Sequence, residues 1–256
     1  MKVEIKEGEV VNDLLGYEGL KIIQDPSRFN FSLDSTVLAH FVTLKKDTKK
    51  ILDLCTGNGP IPLMLTLRTK AHIGGVELQT DSASQAMRSV VINDLESQIT
   101  IYERNLIHVN ETVGAGVYDV VTCNPPYFKV GPESNLNKND ALTMARHEVT
   151  VTLEEIVKEA QMLLKPEGKF AMVHRPDRLV EIIEVMKKYH IEPKRLRFIH
   201  PRISKEANGI LIEGTFRGKP GGLRLLAPLV VYEGETGNYT QEILEMFNMK
   251  KKEEVD

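Results

Sequence analysis

The sequence predicts an α/β fold in which a seven-stranded mixed sheet is flanked by helices and finished by a C-terminal antiparallel hairpin. Three observations carry that expectation. Short apolar runs of strand character alternate with segments of helical periodicity, the order that winds into a mostly parallel sheet. The run Ile51-Leu52-Asp53-Leu54 passes straight into the glycine-punctuated turn Cys55-Thr56-Gly57-Asn58-Gly59-Pro60, and then into an apolar segment, Ile61 to Leu67, of helical length. Late in the chain, Ile191 to Ile199 and Gly209 to Phe216 read as two strands joined only by the short insert 200–208, which suits a hairpin.

With 256 residues the chain can bury a sizeable core, as one large domain or as a domain with a small appendage. The boundaries expected are a short β-rich addition over 1–28, a main domain over 29–249 and a polar tail over 250–256. Two cysteines, Cys55 and Cys123, are too few for a disulfide framework or a zinc site, so no metal is expected. No apolar run reaches membrane-spanning length, and the N-terminus Met1-Lys2-Val3-Glu4-Ile5-Lys6 is charged throughout, unlike a secretory leader. These features imply a reducing, cytoplasmic setting and no membrane partner. A net charge of −3 means that any basic footprint for nucleic acid must be local.

Taken in order, Met1 to Asp25 holds the strand-like runs Val10-Val11 and Leu20 to Ile23, a small β element. Ser32 or Asp34 can cap a helix whose apolar face is Val37, Leu38, Phe41 and Val42. After the glycine turn and its helix, Ile73 to Val76 is a strand ending in Glu77. Thr80 to Ser97 follows with Ala83, Ala86, Met87, Val90, Val91 and Leu95 on one helical face. Ile99 to Tyr102 is the next strand, leading to the turn Glu103-Arg104-Asn105-Leu106. Tyr118 to Cys123 then runs into Asn124-Pro125-Pro126-Tyr127. The long polar stretch Phe128 to His147 is read as a substrate lid, closed by Arg146 and His147. Thr152-Leu153-Glu154-Glu155 is a capping box, opening a stripe of Leu153, Ile156, Val157, Ala160, Leu163 and Leu164 that belongs to the core. Lys169 to His174 reads as a strand, Leu179 to Tyr189 as a helix, Leu225 to Tyr232 as a further strand-like run and Tyr239 to Met249 as a terminal helix.

Chemistry concentrates in two places. A glycine turn between strand and helix brings backbone N–H groups and a helix N-terminus to a nucleotide-like ligand. The run Gly57-Asn58-Gly59-Pro60-Ile61-Pro62 lacks the final small residue of a dinucleotide fingerprint, and no Gly-Lys-Ser/Thr phosphate cradle is present. What remains is Asp53-x-x-x-Gly57-x-Gly59 with a carboxylate, Glu77, placed to accept from ribose hydroxyls. The plain alternative is that the glycines serve only a turn and Glu77 is a solvated acid.

The second place is Asn124-Pro125-Pro126-Tyr127. An exocyclic or amide nitrogen is a poor nucleophile because its lone pair is delocalised. The Asn124 side-chain oxygen and the Pro125 carbonyl can accept both N–H bonds of an NH₂ group and turn that lone pair outward, while Tyr127 offers a face on which a planar group stacks.

The glycine loop, Asp53 and Glu77 resemble the S-adenosylmethionine site of Rossmann-like methyltransferases. The chain as a whole resembles the methyltransferase small-domain family with an Asn-Pro-Pro-Tyr site, and most of all its bacterial branch that methylates adenine N6 in the anticodon loop of a valine tRNA. The likeness runs from Phe29 to about Tyr232, through Phe-Ser-Leu-Asp-Ser, Asp-Leu-Cys-Thr-Gly-Asn-Gly, Val-Glu-Leu-Gln, Asn-Pro-Pro-Tyr-Phe, Ala-Arg-His-Glu and the late Lys-Pro-Gly-Gly. It implies a methyltransferase fold with S-adenosyl-L-methionine as cofactor and tRNA as partner. Asp53, Thr56, Gly57, Gly59, Glu77, Asn105 and Leu106 would hold the cofactor, with Phe31 and Asp34 over its methionine end. Asn124, Pro125 and Tyr127 would hold the adenine. Pro126, Phe128, Arg146 and His147 are candidate substrate contacts beside it, and Arg195 and Arg202, in a locally basic region, are candidate phosphate contacts. Asn105 and Asp34 can equally be a turn residue and a helix cap. Two other functions stay open: methylation of a glutamine amide in a release factor, which presents the same NH₂ group, and a non-catalytic RNA-binding module.

Overall fold

The computed structural model describes residues 3–14, 17–27, 33–126, 151–235 and 237–247. Strands β1 (Val10–Leu14) and β2 (Tyr17–Gln24) make an antiparallel ribbon, followed by helix α1 (Leu33–Phe41). The α/β part then runs β3 (Lys50–Leu54), α2 (Pro60–Leu65), β4 (His72–Glu77), α3 (Thr80–Ile92), β5 (Ile99–Glu103), α4 (Asn110–Val113) and β6 (Tyr118–Cys123). It continues with α5 (Leu153–Leu163), β7 (Leu164–His174), α6 (Leu179–Lys188), β8 (Ile191–His200), β9 (Gly209–Phe216), β10 (Arg224–Leu225), β11 (Leu229–Val230) and α7 (Gln241–Phe247).

These strands form one sheet in the order β10-β8-β9-β7-β6-β3-β4-β5, with β11 also on β8. Pairing is parallel from β7 through β6, β3 and β4 to β5, and antiparallel where β9 enters between β7 and β8. The hairpin expected at the C-terminal end of the sheet is therefore present. Among the described residues β3 to β9 make seven strands of this sheet, and β10 and β11 each add a two-residue parallel pairing along β8. Helices cover both faces, so the inner strands are mostly apolar and all eight residues of β9 are buried, with Asp53, Thr122 and Glu213 as buried polar exceptions. One core cluster gathers α1, α2, the ribbon and α7, and the other gathers α5 and α6.

Two of the boundaries that differ from the sequence reading do so for a clear physical reason. Helix α3 stops at Ile92 rather than Ser97 because Asn93 turns back on the ribbon, donating from Nδ2 to the Lys21 carbonyl (2.7 Å) and accepting the Lys21 N–H (2.7 Å). Asp94, left-handed at φ 54°, breaks the helix there, and Met87 faces solvent instead of the core. β7 begins at Leu164, not Lys169, because a bulge carries the chain from the Tyr118–Leu164 pair to the Val120–Lys169 pair. The terminal helix is limited to Gln241–Phe247 within the described residues.

The ribbon is fixed to α3 by side chains. Ser89 Oγ takes the Ile23 N–H (2.9 Å), and Arg88 pairs with Glu9 (2.5 Å), holding that carboxyl at about 2. Helix α1 is held at its C-terminal end, where the carbonyls of Ala39, Phe41 and Val42 accept from Arg68 and Arg195. Cations at that position complement the helix dipole and satisfy its last acceptors.

Candidate active site

Strands β3 and β6 are hydrogen-bonded neighbours, with Leu54 opposite Cys123. The glycine loop and the Asn-Pro-Pro segment therefore leave the carboxyl end of the sheet side by side, at the kind of crevice where open α/β sheets bind ligands.

The loop's path depends on left-handed backbone at Cys55 (φ 57°), Gly57 (φ 58°) and Gly59 (φ 90°). A side chain at Gly57 would meet no atom within 4 Å, so the backbone conformation and the open space beside it, not crowding, call for glycine there. At Gly59 an added Cβ would lie 3.3 Å from Ala86, so this glycine also lets α3 approach. The Thr56 N–H donates to the Val76 carbonyl (3.0 Å), tying the loop to β4. Thr56 also packs over Gly75, where a Cβ would fall 2.9 Å from its methyl group, and Asn58 Nδ2 donates to the Ile23 carbonyl (3.0 Å). The ribbon thus supports the loop from outside the sheet.

Two carboxylates lie beneath it. Glu77 accepts the Gly57 N–H at Oε2 (2.8 Å) and the Gln79 N–H at Oε1 (2.9 Å). Those bonds take two of the roughly four acceptor directions of a carboxylate. Asp53 is fully buried; its Oδ1 accepts the Thr122 hydroxyl at 2.6 Å. Burial pushes its carboxyl up to about 7, with the Thr122 hydroxyl opposing and the charge of Glu77 adding. Asp53 Oδ2 and Thr56 Oγ1 are buried without a hydrogen-bond partner among the described residues, a cost that a polar or cationic ligand would relieve.

Next along the same edge, Glu77 pairs with Glu103, which brings the following turn to the loop. Asn105 is exposed, with Oδ1 accepting the Ile107 N–H (2.9 Å) as in an Asx turn. The Leu106 side chain is buried in the core, so only its backbone could face a ligand.

On the β6 side, Asn124 is half-buried and its Nδ2 donates to Ser35 Oγ on α1 (3.2 Å). Pro125 is buried and Pro126 exposed, while Asp34 lies in the first turn of α1 beside Ser35. Phe31, Tyr127, Phe128, Arg146, His147 and the expected lid fall outside the described residues.

Sequence reasoning missed several neighbours of this edge. Thr122 and Ser35 each touch a candidate residue from far away in sequence; Ser35 closes the Phe-Ser-Leu-Asp-Ser motif without a role assigned to it, and nothing in the local pattern marks Thr122. His174 ends β7 next to β6; it is buried, accepts the Arg175 N–H at Nδ1 (2.8 Å) and is pushed down to about 4, chiefly by burial. It is neutral at pH 7.

Arg195 has structural partners that the sequence reading did not include. Its guanidinium donates to the Phe41 carbonyl (2.9 Å) and Thr43 Oγ1 (2.6 Å), pairs with buried Glu213 (3.3 Å) and stacks 4.4 Å over the Phe41 ring. Through Nη1 the side chain clamps α1 to β9, a structural role that its place in a basic run does not reveal. Arg202 lies over Tyr232 (5.7 Å) and 3.9 Å from Glu235. Among the described residues no group of three or more His, Cys, Asp or Glu side chains could hold a metal, and no helix is long and apolar enough to cross a membrane.

Known proteins resemble this chain in sequence and in fold. The chain is 24% identical over 206 residues to the tRNA1(Val) (adenine(37)-N6)-methyltransferase of Parabacteroides distasonis, covering 80% of this chain and 84% of that one. It is 32% identical over 166 residues to the protein of the same name from Porphyromonas gingivalis, covering 63% and 64%. Among solved structures, a predicted O-methyltransferase from Agrobacterium tumefaciens superposes with a TM-score of 0.66 at 21% identity, over 84% of this chain and 95% of that one. Geranyl diphosphate C-methyltransferase from Streptomyces coelicolor, solved with S-adenosyl-L-homocysteine, gives 0.54 at 12% identity over 71% and 76%, a likeness of fold alone. The model of the methyltransferase small domain matches residues 22–191, a span that holds both loops of the carboxyl edge, and the chain belongs to that family.

Proposed function

We propose that the protein transfers a methyl group from S-adenosyl-L-methionine to N6 of an adenine in tRNA, in the anticodon loop of a valine tRNA as the names of its relatives suggest. The observation that carries this reading is the pairing of β3 with β6, which sets the glycine loop and Asn124 on one edge.

The residues present fit the cofactor. Left-handed Gly57 leaves open space beside the loop, Gly59 lets α3 approach it, Glu77 would meet the ribose hydroxyls, and buried Asp53 favours a cationic group above it. Asn105 and the Leu106 N–H would face the adenine ring, with Thr56, Phe31 and Asp34 completing the pocket. When bound, the sulfonium supplies an electrophilic methyl group and the driving force.

The chain's own work is positioning. While Nδ2 of Asn124 donates to Ser35, its amide oxygen and the Pro125 carbonyl would accept the two N–H bonds of the adenine amine. The amine lone pair is then turned out of conjugation, and Tyr127 would stack on the base. Pro125 and Pro126 have no N–H to compete for those acceptors. The nitrogen becomes acidic only after it carries the methyl, so no strong base is required. An adenine must be unstacked to enter, and an anticodon loop presents bases in that state.

Incubation with labelled S-adenosylmethionine and either total tRNA or release factor tests the substrate class. The expected product is N6-methyladenosine in tRNA. Label in protein alone would overturn the RNA assignment, and label in neither would overturn the enzyme assignment.

A further inference from the structure

The charges of this protein are segregated along the strands. Segments 43–50, 165–169, 187–194 and 217–224 together hold twelve of the 33 Lys and Arg residues and three of the 36 Asp and Glu residues. The rest of the chain is left with 21 cations against 33 acids. A chain of net charge −3 therefore carries nine excess positive charges within 29 residues.

Topology puts all four segments at one end. Segment 43–50 leads into β3, 165–169 opens β7, 187–194 leads into β8, and 217–224 follows β9, which runs the other way. This is the amino end of the parallel strands, opposite the edge that carries Gly57 and Asn124.

The segments touch one another. The backbone N–H groups of Lys49 and Lys50 and the Lys165 ammonium all converge on Asp119 (2.8, 2.9 and 2.8 Å). Lys194 donates to the carbonyls of Lys219 and Gly221. Lys169 is held below the ordinary lysine range by burial first, and the charges of Lys45 and Lys194 add to the effect. Of the acids at this end, Asp119 and Glu192 are turned to internal bonds, Glu192 accepting the Gly221 N–H (2.8 Å), while Asp47 and Glu167 are exposed among the cations. Lys46, Lys49, Lys187, Arg217 and Lys219 are exposed. A concavity of about 410 Å³ opens beside Lys187, His190 and Arg217. Its rim is braced by left-handed backbone at His190 (φ 57°) and Arg217 (φ 54°), joined by the Arg217 N–H to the His190 carbonyl (2.7 Å).

We propose that this basal face is a second RNA-docking surface, which binds the phosphate backbone of the substrate at a distance from the base being methylated. Twelve cations against four acids, Asp119 included, make the electrostatic footprint for a polyanion, and binding there would be driven by counterion release. At about 3.3 Å per strand residue, Asp119 and Asn124 are separated by roughly 17 Å. A folded RNA arm is larger than that, so one RNA can reach both ends. The inference rests on the RNA reading of the catalytic edge, since it takes the same molecule as ligand. It assigns docking to the basal face, apart from Arg195, whose Nη1 is engaged with Phe41, Thr43 and Glu213.

The test is the variant Lys46→Glu/Lys49→Glu/Lys187→Glu/Lys219→Glu in the full chain, with the corresponding four Lys→Gln changes as a milder second version. The expected result is a KM for tRNA raised at least tenfold, with kcat and S-adenosylmethionine affinity unchanged. The slope of log Kd for tRNA against log salt should shallow by about two or more, since each duplex phosphate contact contributes about 0.9. A folded variant with wild-type KM and wild-type salt slope would overturn the proposal while leaving the methylation reading intact. If the wild type methylates no RNA, the catalytic reading fails, and retention of a 20-base-pair RNA duplex in a gel tests the face alone. Retention by the wild type that is lost in the variant supports docking, and no wild-type retention overturns it. Binding to phosphatidylglycerol vesicles but not to RNA would also overturn it.

Discussion

Asp53 is the residue whose charge the site must manage. It is fully buried, and burial raises its carboxyl from the ordinary 3.8 to about 7. Below pH 4 the side chain is protonated whether the chain is folded or not, so its burial carries no ionisation penalty there. Between those values the folded state holds a proton that the unfolded state has lost, and stability falls as pH rises through 7. Asp53→Asn keeps an acceptor for Thr122 and removes the penalty. Its melting advantage over the wild type should therefore grow from pH 5 to pH 8, by on the order of a few kcal/mol. Parallel pH profiles for the two proteins would contradict the shift. Ser35 is the other residue that can be isolated. Ser35→Ala removes the partner of Asn124 Nδ2 and should lower kcat about five- to tenfold, the worth of about one hydrogen bond, with cofactor affinity unchanged. An unaltered kcat would show that Asn124 is oriented by other groups.

At the scale of elements, helix α1 links the candidate site to the rest of the fold. Its first turn meets Asn124, and its last carbonyls are held by Arg68 and Arg195 above buried Glu213. Arg195→Ala leaves that carboxylate buried with Thr43 as its remaining donor, a loss of about 3 kcal/mol. Thermal melting should fall accordingly, while tRNA affinity of the protein that stays folded should not change. Weaker tRNA binding at unchanged stability would instead restore Arg195 as an RNA contact. The elements themselves were largely legible. Alternating apolar runs and helical stripes reflect burial on one or both faces, and the capping box at Thr152 forms as its spacing implies. What was not legible depended on partners distant in sequence. α3 ends early because Asn93 bonds to Lys21, 72 residues away, and β10 and β11 exist only as pairings on β8. The Ser35–Asn124 contact spans 89 residues, and the clamp that occupies Arg195 reaches 154 residues back to Phe41. In sequence, Arg195 reads as one more cation in a basic run.

Across the whole molecule, the sheet separates two tasks. Its carboxyl edge gathers the glycine loop, two buried or half-covered carboxylates and Asn124, and its amino end gathers the excess positive charge. The motifs of the first end could be read directly, because left-handed glycines and an Asn-Pro-Pro run are local requirements. The second end could not, because its cations come from four separated segments that only topology brings together. The central claim is that the β3 loop holds the methyl donor and Asn124 on β6 holds the acceptor amine. Its most direct test is Asn124→Ala, assayed in one preparation for S-adenosylmethionine affinity by calorimetry and for single-turnover methyl transfer to tRNA. Affinity should stay within about twofold of the wild type while transfer falls by at least a hundredfold, about 2.7 kcal/mol of lost transition-state stabilisation. Transfer at the wild-type rate would contradict the account.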